Sequence, residues 1–275
     1  MTHPIIIDDT LLQQFLPKRS RSSQKGDFGH LLVVGGDYGM AGAVRMAAEA
    51  GARVGAGLVS VATRSEHLNL IQQGRPELMC HTAKKAKDLL PLVAKSNTVI
   101  LGPGLGQDVW GRSLFKNILL TKQPLLVDAD ALNLLALRPQ CSERWVLTPH
   151  PGEAARLLNV TVRDIQANRL AAAQAIQRCY GGICVLKGAG TLIVGGEKTW
   201  LCTAGNPGMA TGGMGDVLSG VIGGLLAQGL SYEYAAAIGV YVHAKAGDYA
   251  ATKQGERGLL AGDLINYLQA IINPV

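Results

Sequence analysis

Short, uninterrupted apolar segments recur along the chain, and most of them end at a glycine or an aspartate and lead into a helical pattern. Strands that are apolar on both faces are typical of a parallel sheet covered by helices on both sides. The predicted fold is therefore an α/β sandwich with a mostly parallel sheet, and ligands are expected outside the carboxyl ends of its strands. The predicted strands are residues 30–36, 57–63, 98–104, 124–130, 144–150 and 182–188.

The pattern changes after residue 188. Residues 190–205 are predicted to form a hairpin around Gly195 and Gly196, because two short β-rich runs flank a glycine pair. Helices are then predicted at 214–228, 232–252 and 259–273. Since the chain shows no internal repeat and no Pro/Ser-rich linker, it is predicted to form a single domain over residues 1–275.

Composition excludes several classes of protein. Hydrophobic residues make up 48% of the chain and charged residues 17%, which argues against intrinsic disorder. The net charge of +6 suits phosphorylated small molecules. The basic residues concentrate in 17–25 and 84–87 with few aromatic neighbours, so these segments are interpreted as solvated and nucleic-acid binding is not expected.

The cysteines and the N-terminus indicate where the chain works. Its five cysteines form no C-x-x-C pair and no Cys/His cluster with metal spacing, a pattern that favours reduced thiols in a cytosol. The N-terminal segment carries two aspartates where a signal peptide would be basic. No apolar run reaches the roughly 18 residues of a membrane-spanning helix. The sequence thus predicts a cytoplasmic protein without a membrane partner.

The segment TGGMGDVLSG, residues 211–220, combines four glycines with one carboxylate, Asp216, before an apolar helical stretch. A helix that begins after such a loop directs its unpaired N–H groups and its dipole at whatever lies in front of it, which suits a phosphoryl group. Because a carboxylate repels phosphate, Asp216 is predicted to act instead as a base toward an acceptor hydroxyl. The alternative is a tight packing turn in which Asp216 caps the helix.

Two other glycine-rich loops fall at predicted strand ends. GGDYGMAGA (35–43) lacks the G-x-G-x-x-G spacing of dinucleotide-binding folds, but it would let a ligand approach the backbone around Ala43. GPGLG (102–106) offers the backbone N–H of Gly106, although close packing explains such a loop equally well.

Carboxylates follow the next predicted strand. Asp128 and Asp130 in VDADALN could hold Mg²⁺ through water, or Asp130 could cap the helix that follows. In TPHPGE (148–153), His150 is fixed between two prolines, and Glu153 falls in the first turn of a helix. A structural and a ligand-positioning role are both open for His150.

The motif KGAGT (187–191) places Lys187 directly before a glycine turn at a strand end. Glycine N–H groups and a lysine ammonium suit a phosphate or the edge of a nucleotide. Since G-x-x-x-x-G-K-[ST] occurs nowhere in the chain, a mononucleotide site other than a P-loop is predicted.

Taken in order, these motifs resemble those of the ADP-dependent NAD(P)H-hydrate dehydratases, and GMGD is similar to the G-A-G-D anion hole of their ribokinase-like superfamily. The resemblance covers nearly the whole chain and implies a ribokinase-like three-layer sandwich with a mostly parallel central sheet and a C-terminal helical segment. The matching motifs lie at 25–43, 102–106, 128–133, 148–153, 187–191, 205–220 and 258–264.

The resemblance implies a repair reaction on NADH or NADPH that has gained water at C6 of the nicotinamide ring. The S form of this hydrate would be dehydrated at the cost of hydrolysing ADP to AMP and phosphate. The C6 hydroxyl would be phosphorylated, with Asp216 as the base, and would then leave as phosphate, pushed by the lone pair of the ring nitrogen. Mg²⁺ is expected between the phosphates, with Glu153 as a candidate for orienting its waters.

The resemblance also implies which residues touch the ligands. The hydrated dinucleotide would contact Ala43, Gly106, His150 and Asp216. The adenine nucleotide would be held by Lys187, Gly188, Ala189, Gly190, Thr191 and Gly215. One departure is Asp37, where the family commonly has serine.

Two properties of the family concern partners. Its members often form homotetramers, so a homo-oligomer is expected. Many members carry an N-terminal NAD(P)H-hydrate epimerase domain that this chain starts too late to hold, so an epimerase is expected as a separate protein of the same pathway.

Two other functions compete with the dehydratase. A kinase of a small alcohol, such as the hydroxyethylthiazole and sugar kinases of the same superfamily, would use a GMGD-type motif for the same purpose. The motifs TPHPGE and KGAGT together favour the dehydratase. A non-catalytic nucleotide-binding regulator is disfavoured by Asp216 and Lys187. A stable phosphorylated alcohol as product would indicate the kinase, and absence of ADP turnover would indicate the regulator.

Overall fold

A computed structural model describes residues 3–16, 18–196 and 198–273, and a mixed sheet runs through its centre. The strands are β1 (Ile5–Ile6), β2 (His30–Val34), β3 (Leu58–Thr63), β4 (Met79–Thr82), β5 (Thr98–Leu101), β6 (Leu125–Val127), β7 (Trp145–Leu147), β8 (Ile183–Leu186), β9 (Thr191–Val194) and β10 (Thr199–Cys202). They pair in the order β1-β10-β9-β8-β7-β6-β5-β2-β3-β4. Neighbouring strands are parallel except where β9 pairs with β8 and β10.

The six strands predicted from apolar runs are confirmed as β2, β3, β5, β6, β7 and β8, and the predicted hairpin is confirmed as β9–β10. The apolar pattern does not predict the two edge strands. Both residues of β1 are exposed, and all four residues of β4 are half-buried and two of them polar, so neither strand forms a continuous buried apolar run.

Helices cover both faces of the sheet. They are α1 (Asp9–Phe15), α2 (Ala41–Arg53), α3 (Leu68–Gln72), α4 (Ala86–Lys95), α5 (Val109–Leu119), α6 (Ala129–Leu137), α7 (Pro151–Leu158), α8 (Val162–Ala167), α9 (Arg169–Tyr180), α10 (Met214–Ala227), α11 (Tyr232–Gln254) and α12 (Ala261–Ile272). Side chains of α2, α10, α11 and α12 form one core with one face of the sheet, and those of α4 to α9 form a second core with the other. The predicted three layers and the three C-terminal helices are thus confirmed.

Small residues bring α10 close to α2. A Cβ on Gly220 would collide with the backbone carbonyl of Ala47, and one on Gly224 would lie 2.7 Å from the carbonyl oxygen of Gly51. Glycine and alanine at this crossing let the two backbones approach each other where larger side chains would hold them apart. The position of α10, whose N-terminus carries GMGD, is therefore set by its packing on α2.

The strand order reverses between β2 and β5, because the chain adds β3 and β4 on one side of β2 and then returns to its other side. In open α/β sheets, ligands bind outside the carboxyl ends of the strands at such a reversal. No helix in the described ranges is long and apolar enough to cross a membrane. All five cysteines are free, as the sequence predicts.

Candidate active site

A cavity of about 550 Å³ lies at the carboxyl ends of β6, β7 and β8, in front of the N-terminus of α10. It brings together the loops VDADALN, TPHPGE, KGAGT and GGMGD, which are far apart in the sequence. Its lining comprises Asp128, Ala129, His150, Pro151, Glu153, Lys187, Gly188, Ala210, Gly213, Gly215 and Asp216.

Asp216 lies in the first turn of α10. Gly213 is the N-cap and has φ +90°, a backbone conformation that favours glycine, and no side chain caps this end of the helix. The alternative in which Asp216 caps the helix is therefore not the observed geometry. Burial, and next the charge of Asp128, raise the pKa of Asp216 to about 7 against the opposing effect of Lys187. A carboxyl group with this pKa can exchange a proton near neutral pH, as a general base must.

Lys187 is held between carboxylates at the floor of the cavity. Its Nζ lies 2.9 Å from Oδ1 of Asp128 and 3.7 Å from Oε2 of Glu153. A Cβ on Gly215 would lie 3.3 Å from the same nitrogen, so the helix start leaves room for the lysine. Burial opposes the charge of Lys187, but Asp128 and Glu153 outweigh it and the pKa of Lys187 is raised. The ammonium thus stays charged beside Asp216.

The two aspartates of VDADALN have different partners. Asp128 is 1% exposed, and its Oδ2 accepts a hydrogen bond of 2.7 Å from the hydroxyl of Ser219. Asp130 accepts a hydrogen bond of 2.9 Å from the backbone N–H of Gly106 through Oδ2. Asp130 therefore joins the loop after β6 to the loop after β5, and the alternative in which it caps α6 is not the observed geometry.

His150 is the N-cap of α7, with Pro151 at the first helical position. Its Nδ1 accepts a hydrogen bond of 2.9 Å from the N–H of Gly152, and its own N–H donates to Glu153, which closes a capping box. Burial, and next the charge of Lys187, lower the pKa of His150. Since an Nδ1 that accepts a hydrogen bond carries no proton, the ring is neutral. Its Nε2 lies 3.5 Å from Oε1 of Glu153, and about half of the side chain is exposed.

Glu153 is 5% exposed, and burial raises the pKa of its carboxyl group against the effect of Lys187. Its Oε2 already accepts the His150 N–H, so this carboxylate holds the loop as well as facing the lysine. Within the described ranges, no three His, Cys, Asp or Glu side chains are grouped to hold a metal ion.

Arg169 supports the KGAGT loop, and sequence reasoning did not single it out. Its guanidinium donates to the backbone carbonyls of Leu186, Lys187 and Gly190 at 3.2 to 3.3 Å. Ser219 was missed in the same way. Arg169 lies outside the motifs, and Ser219 lies inside the 211–220 segment without a predicted role, because each acts through contacts between distant segments that no local spacing reveals.

Five predicted contact residues lie outside the lining of this cavity: Ala189, Gly190 and Thr191 at the far end of the KGAGT loop, and Gly106 and Ala43. Gly106 lies one strand farther along the sheet edge, in the loop after β5, with φ +72°. Ala43 is buried in the first turn of α2. Because Asp130 links Gly106 to the loop after β6, the cavity and the Gly106 loop form one continuous edge.

A larger cavity, of about 1240 Å³, opens at the amino ends of the strands. It includes Lys18 and Arg19 of the basic N-terminal segment. Arg19 donates to the carbonyl of Gly55 and to Gln228 and stacks on Phe28, so this part of the segment is anchored on the protein, in contrast to the solvated reading. None of the predicted site residues lines this cavity.

The three-layer architecture is a ribokinase-like fold, since a solved hydroxyethylthiazole kinase of Pyrococcus horikoshii and a solved ribokinase of Giardia lamblia share it at 13% and 11% identity, with TM-scores of 0.64 and 0.55. A family model described as NAD(P)H-hydrate dehydratase matches residues 31–270. The chain belongs to this NAD(P)H-hydrate dehydratase family.

Comparison with individual relatives supports the same family. The chain is 56% identical over 260 residues to the bifunctional NAD(P)H-hydrate repair enzyme Nnr of Coxiella burnetii, covering 94% of this chain and 53% of that protein. It thus spans about half the length of such bifunctional relatives. It is 40% identical over 257 residues to the ADP-dependent (S)-NAD(P)H-hydrate dehydratase of Neisseria meningitidis, covering 90% and 86% of the two chains.

A solved structure resembles the fold along its whole length. The ADP/ATP-dependent NAD(P)H-hydrate dehydratase of Bacillus subtilis, co-crystallised with ATP and Mg²⁺, has a TM-score of 0.89 at 28% identity. The match covers 98% of each chain.

Proposed function

We propose that the chain dehydrates the S form of NADH hydrate or NADPH hydrate to NADH or NADPH, coupled to hydrolysis of ADP to AMP and phosphate. The observation that carries this proposal is the placement of Asp216, a carboxyl group with a pKa of about 7, at the glycine-rich start of α10 and inside the cavity. The family match and the N. meningitidis relative support the choice of substrate.

In the proposed reaction, Asp216 takes the proton of the C6 hydroxyl while the hydroxyl oxygen attacks the β-phosphorus of ADP. The bond between that phosphorus and the bridging oxygen breaks, and AMP leaves. The N–H groups at the start of α10 stabilise the charge on the transferred phosphoryl group. The lone pair of the ring nitrogen then expels phosphate from C6, and loss of a proton from C5 restores the double bond of the dihydronicotinamide.

We propose that the nucleotide lies over the KGAGT loop, against Lys187 to Thr191 and Gly215, and that the hydrated dinucleotide contacts His150, Gly106 and Ala43. The backbone of the KGAGT loop suits a nucleotide because Gly188 and Gly190, with φ +138° and +67°, turn the chain sharply at the strand end and carry no side chain toward a ligand. His150 follows β7 and Gly106 follows β5, so the proposed dinucleotide contacts lie along the sheet edge from β7 to β5, on one side of the KGAGT loop after β8.

Magnesium is proposed to arrive with the nucleotide phosphates. The carboxylates of this edge are engaged, since Asp128 is paired with Lys187 and Ser219, and Asp130 with Gly106. Magnesium usually keeps several waters and is held by one or two carboxylates and substrate phosphates. Glu153 fits the role of orienting such a water, and the ion would offset charge on the phosphates.

The proposal is tested by incubating the protein with the S form of NADPH hydrate, Mg²⁺ and either ADP or ATP. Recovery of the dihydronicotinamide absorbance together with one free phosphate per turnover is the expected result. A stable phosphorylated alcohol would instead identify a kinase, and failure to consume either nucleotide would contradict both enzymatic functions.

Lys187→Ala should raise the KM for ADP by roughly tenfold to a hundredfold, the usual effect of losing a hydrogen bond to a charged group. Dinucleotide binding should be nearly unchanged. The variant also leaves Asp128 and Glu153 without their cation, which adds repulsion toward the phosphates. Lys187→Arg, which keeps the charge, is the matched control. If calorimetry shows that only dinucleotide binding weakens, the two ligands are assigned to the wrong loops.

His150→Ala should weaken dinucleotide binding without unfolding the protein. It also removes a helix cap, which costs about 1 kcal/mol, so His150→Asn is the sharper variant because its side-chain oxygen can accept the same N–H of Gly152. The asparagine variant should melt near the wild-type temperature and still bind the dinucleotide weakly. Normal binding by His150→Asn, with a loss of stability only in His150→Ala, would assign a purely structural role.

We further propose that residues 1–275 form one domain, that the protein assembles as a homotetramer, and that it works in the cytoplasm beside a separate NAD(P)H-hydrate epimerase. The continuous sheet supports the single domain.

The bifunctional relatives, whose printed name describes NAD(P)H-hydrate repair, are consistent with a partner activity on the same substrates. Size-exclusion chromatography with light scattering tests the assembly.

A further inference from the structure

A cluster of charged and aromatic side chains lies on the sheet edge next to the Gly106 loop. The guanidinium of Arg64, directly after β3, lies over the rings of Tyr38 and Trp110, at 4.5 Å and 4.1 Å from their centroids. Its Nε donates to Oδ1 of Asp37 at 2.7 Å, and a second nitrogen lies 3.7 Å from Asp108. Two carboxylates thus neutralise this arginine.

Asp37 lies at the reversal of strand order, where ligands bind in sheets of this kind. Its backbone N–H donates to the carbonyl of Gly104, which fixes the loop after β2 on the loop after β5. In the described part of the chain, the hydrogen bonds of the carboxylate use Oδ1 only. Its other oxygen, Oδ2, faces Gly106 and would lie 2.8 Å from a Cβ there.

The spacing of the strands relates this cluster to Asp216. The loop of Asp37 follows β2, and two strand steps separate β2 from β6, whose loop lines the cavity. At 4.7–4.9 Å per step, this is a distance of about 10 Å. A dinucleotide whose nicotinamide lies at Asp216 and whose chain passes Gly106 therefore reaches Asp37 with its adenosine half.

We infer that Asp37 is a specificity-determining residue that accepts the 2′-hydroxyl of the adenosine ribose and disfavours a 2′-phosphate, so that NADH hydrate is preferred over NADPH hydrate. This inference rests on the proposed function, since it takes the hydrated dinucleotide as the ligand of this edge.

The chemistry of the cluster favours this assignment. A carboxylate accepts hydrogen bonds from a ribose hydroxyl but repels a phosphate, and acidic residues read this hydroxyl in other dinucleotide sites, whereas an arginine accommodates the phosphate. Arg64 is the arginine close enough to contact a 2′-phosphate, but its Nε already donates to Asp37, whose charge offsets that of the guanidinium. The exposed ring of Tyr38 offers an aromatic surface beside the pair.

The test compares Asp37→Ser with the wild type on both hydrates. Loss of the carboxylate removes the repulsion and releases Arg64, so the ratio of kcat/KM for NADPH hydrate to that for NADH hydrate should rise about tenfold or more. Asp108→Ser is the matched control, because it removes one negative charge near the same guanidinium but does not face Gly106. Its ratio should change much less.

Binding measurements separate this inference from the proposed function. Calorimetric titration with NADH and NADPH, neither of which requires turnover, should show the same change of preference in Asp37→Ser. If the wild type dehydrates neither hydrate, the proposed function fails while these titrations still test Asp37. Asp37→Asn, which keeps the side-chain oxygen for Arg64, replaces the serine variant if that variant does not fold. A folded variant with the wild-type preference in both assays would overturn the inference.

Discussion

Replacing Asp216 by asparagine should lower kcat by about 10²- to 10⁴-fold, the contribution of a positioned general base. Asparagine keeps the shape of the side chain but cannot take the proton of the hydroxyl. Nucleotide binding should hold or tighten slightly, because a negative charge is removed from the site of the phosphates. The measurement is kcat from recovery of dihydronicotinamide absorbance at saturating substrates, with ADP affinity determined separately by calorimetry.

Asp130→Asn is the matched control for this variant. It removes another carboxylate from the same sheet edge but keeps an oxygen for the N–H of Gly106, so its kcat should fall far less. If Asp216→Asn retained more than about a tenth of the wild-type kcat, another group would have to accept the proton.

Loss of activity in Asp216→Asn should not reflect loss of folding. The pKa of Asp216 lies above its ordinary value, so the folded protein binds more protons than the unfolded chain between about pH 4 and pH 7. Ionising Asp216 therefore lowers stability as the pH rises through this window. The asparagine variant lacks this cost, and its melting temperature at pH 8 should equal or exceed that of the wild type.

The arrangement of the fold follows from local sequence patterns where strands are buried on both faces. The runs that became β2, β5 and β8 are apolar apart from the first residues His30 and Thr98, and each is followed by a glycine or a lysine that starts a loop. The edge strands β1 and β4 cannot be predicted from an apolar pattern, because they are defined by hydrogen bonding to a neighbouring strand and not by burial. The strand order was also beyond prediction, since it depends on contacts between segments far apart in the chain.

For the site, sequence identified the loops but not the contacts within them. Lys187 was predicted from its glycine turn, yet its position between Asp128 and Glu153 depends on three separate strand ends meeting. Ser219 lies one helical turn beyond Asp216 and reaches Asp128 across 91 residues of sequence. The raised pKa of Asp216 is a property of this assembled group, and no single motif contains it.

The carboxylates and the lysine around Asp216 also lead to a prediction about the pH dependence of the reaction. With the pKa of Asp216 at about 7, kcat/KM should approach a tenfold fall per pH unit well below that value, or about fiftyfold from pH 7 to pH 5, because only the ionised carboxylate acts as a base. Asp128 contributes the largest repulsion that raises this pKa. Asp128→Asn should therefore move the midpoint of the acid limb to lower pH, since it removes that charge and leaves the charge of Lys187 less compensated. Asp130→Asn should move it less, because Asp130 has the smaller effect on Asp216. A shift that depends on the variant assigns the titration to the enzyme rather than to the phosphates of ADP.

A profile that is flat between pH 5 and pH 7, or a midpoint that Asp128→Asn leaves in place, would show that Asp216 is not the group that titrates.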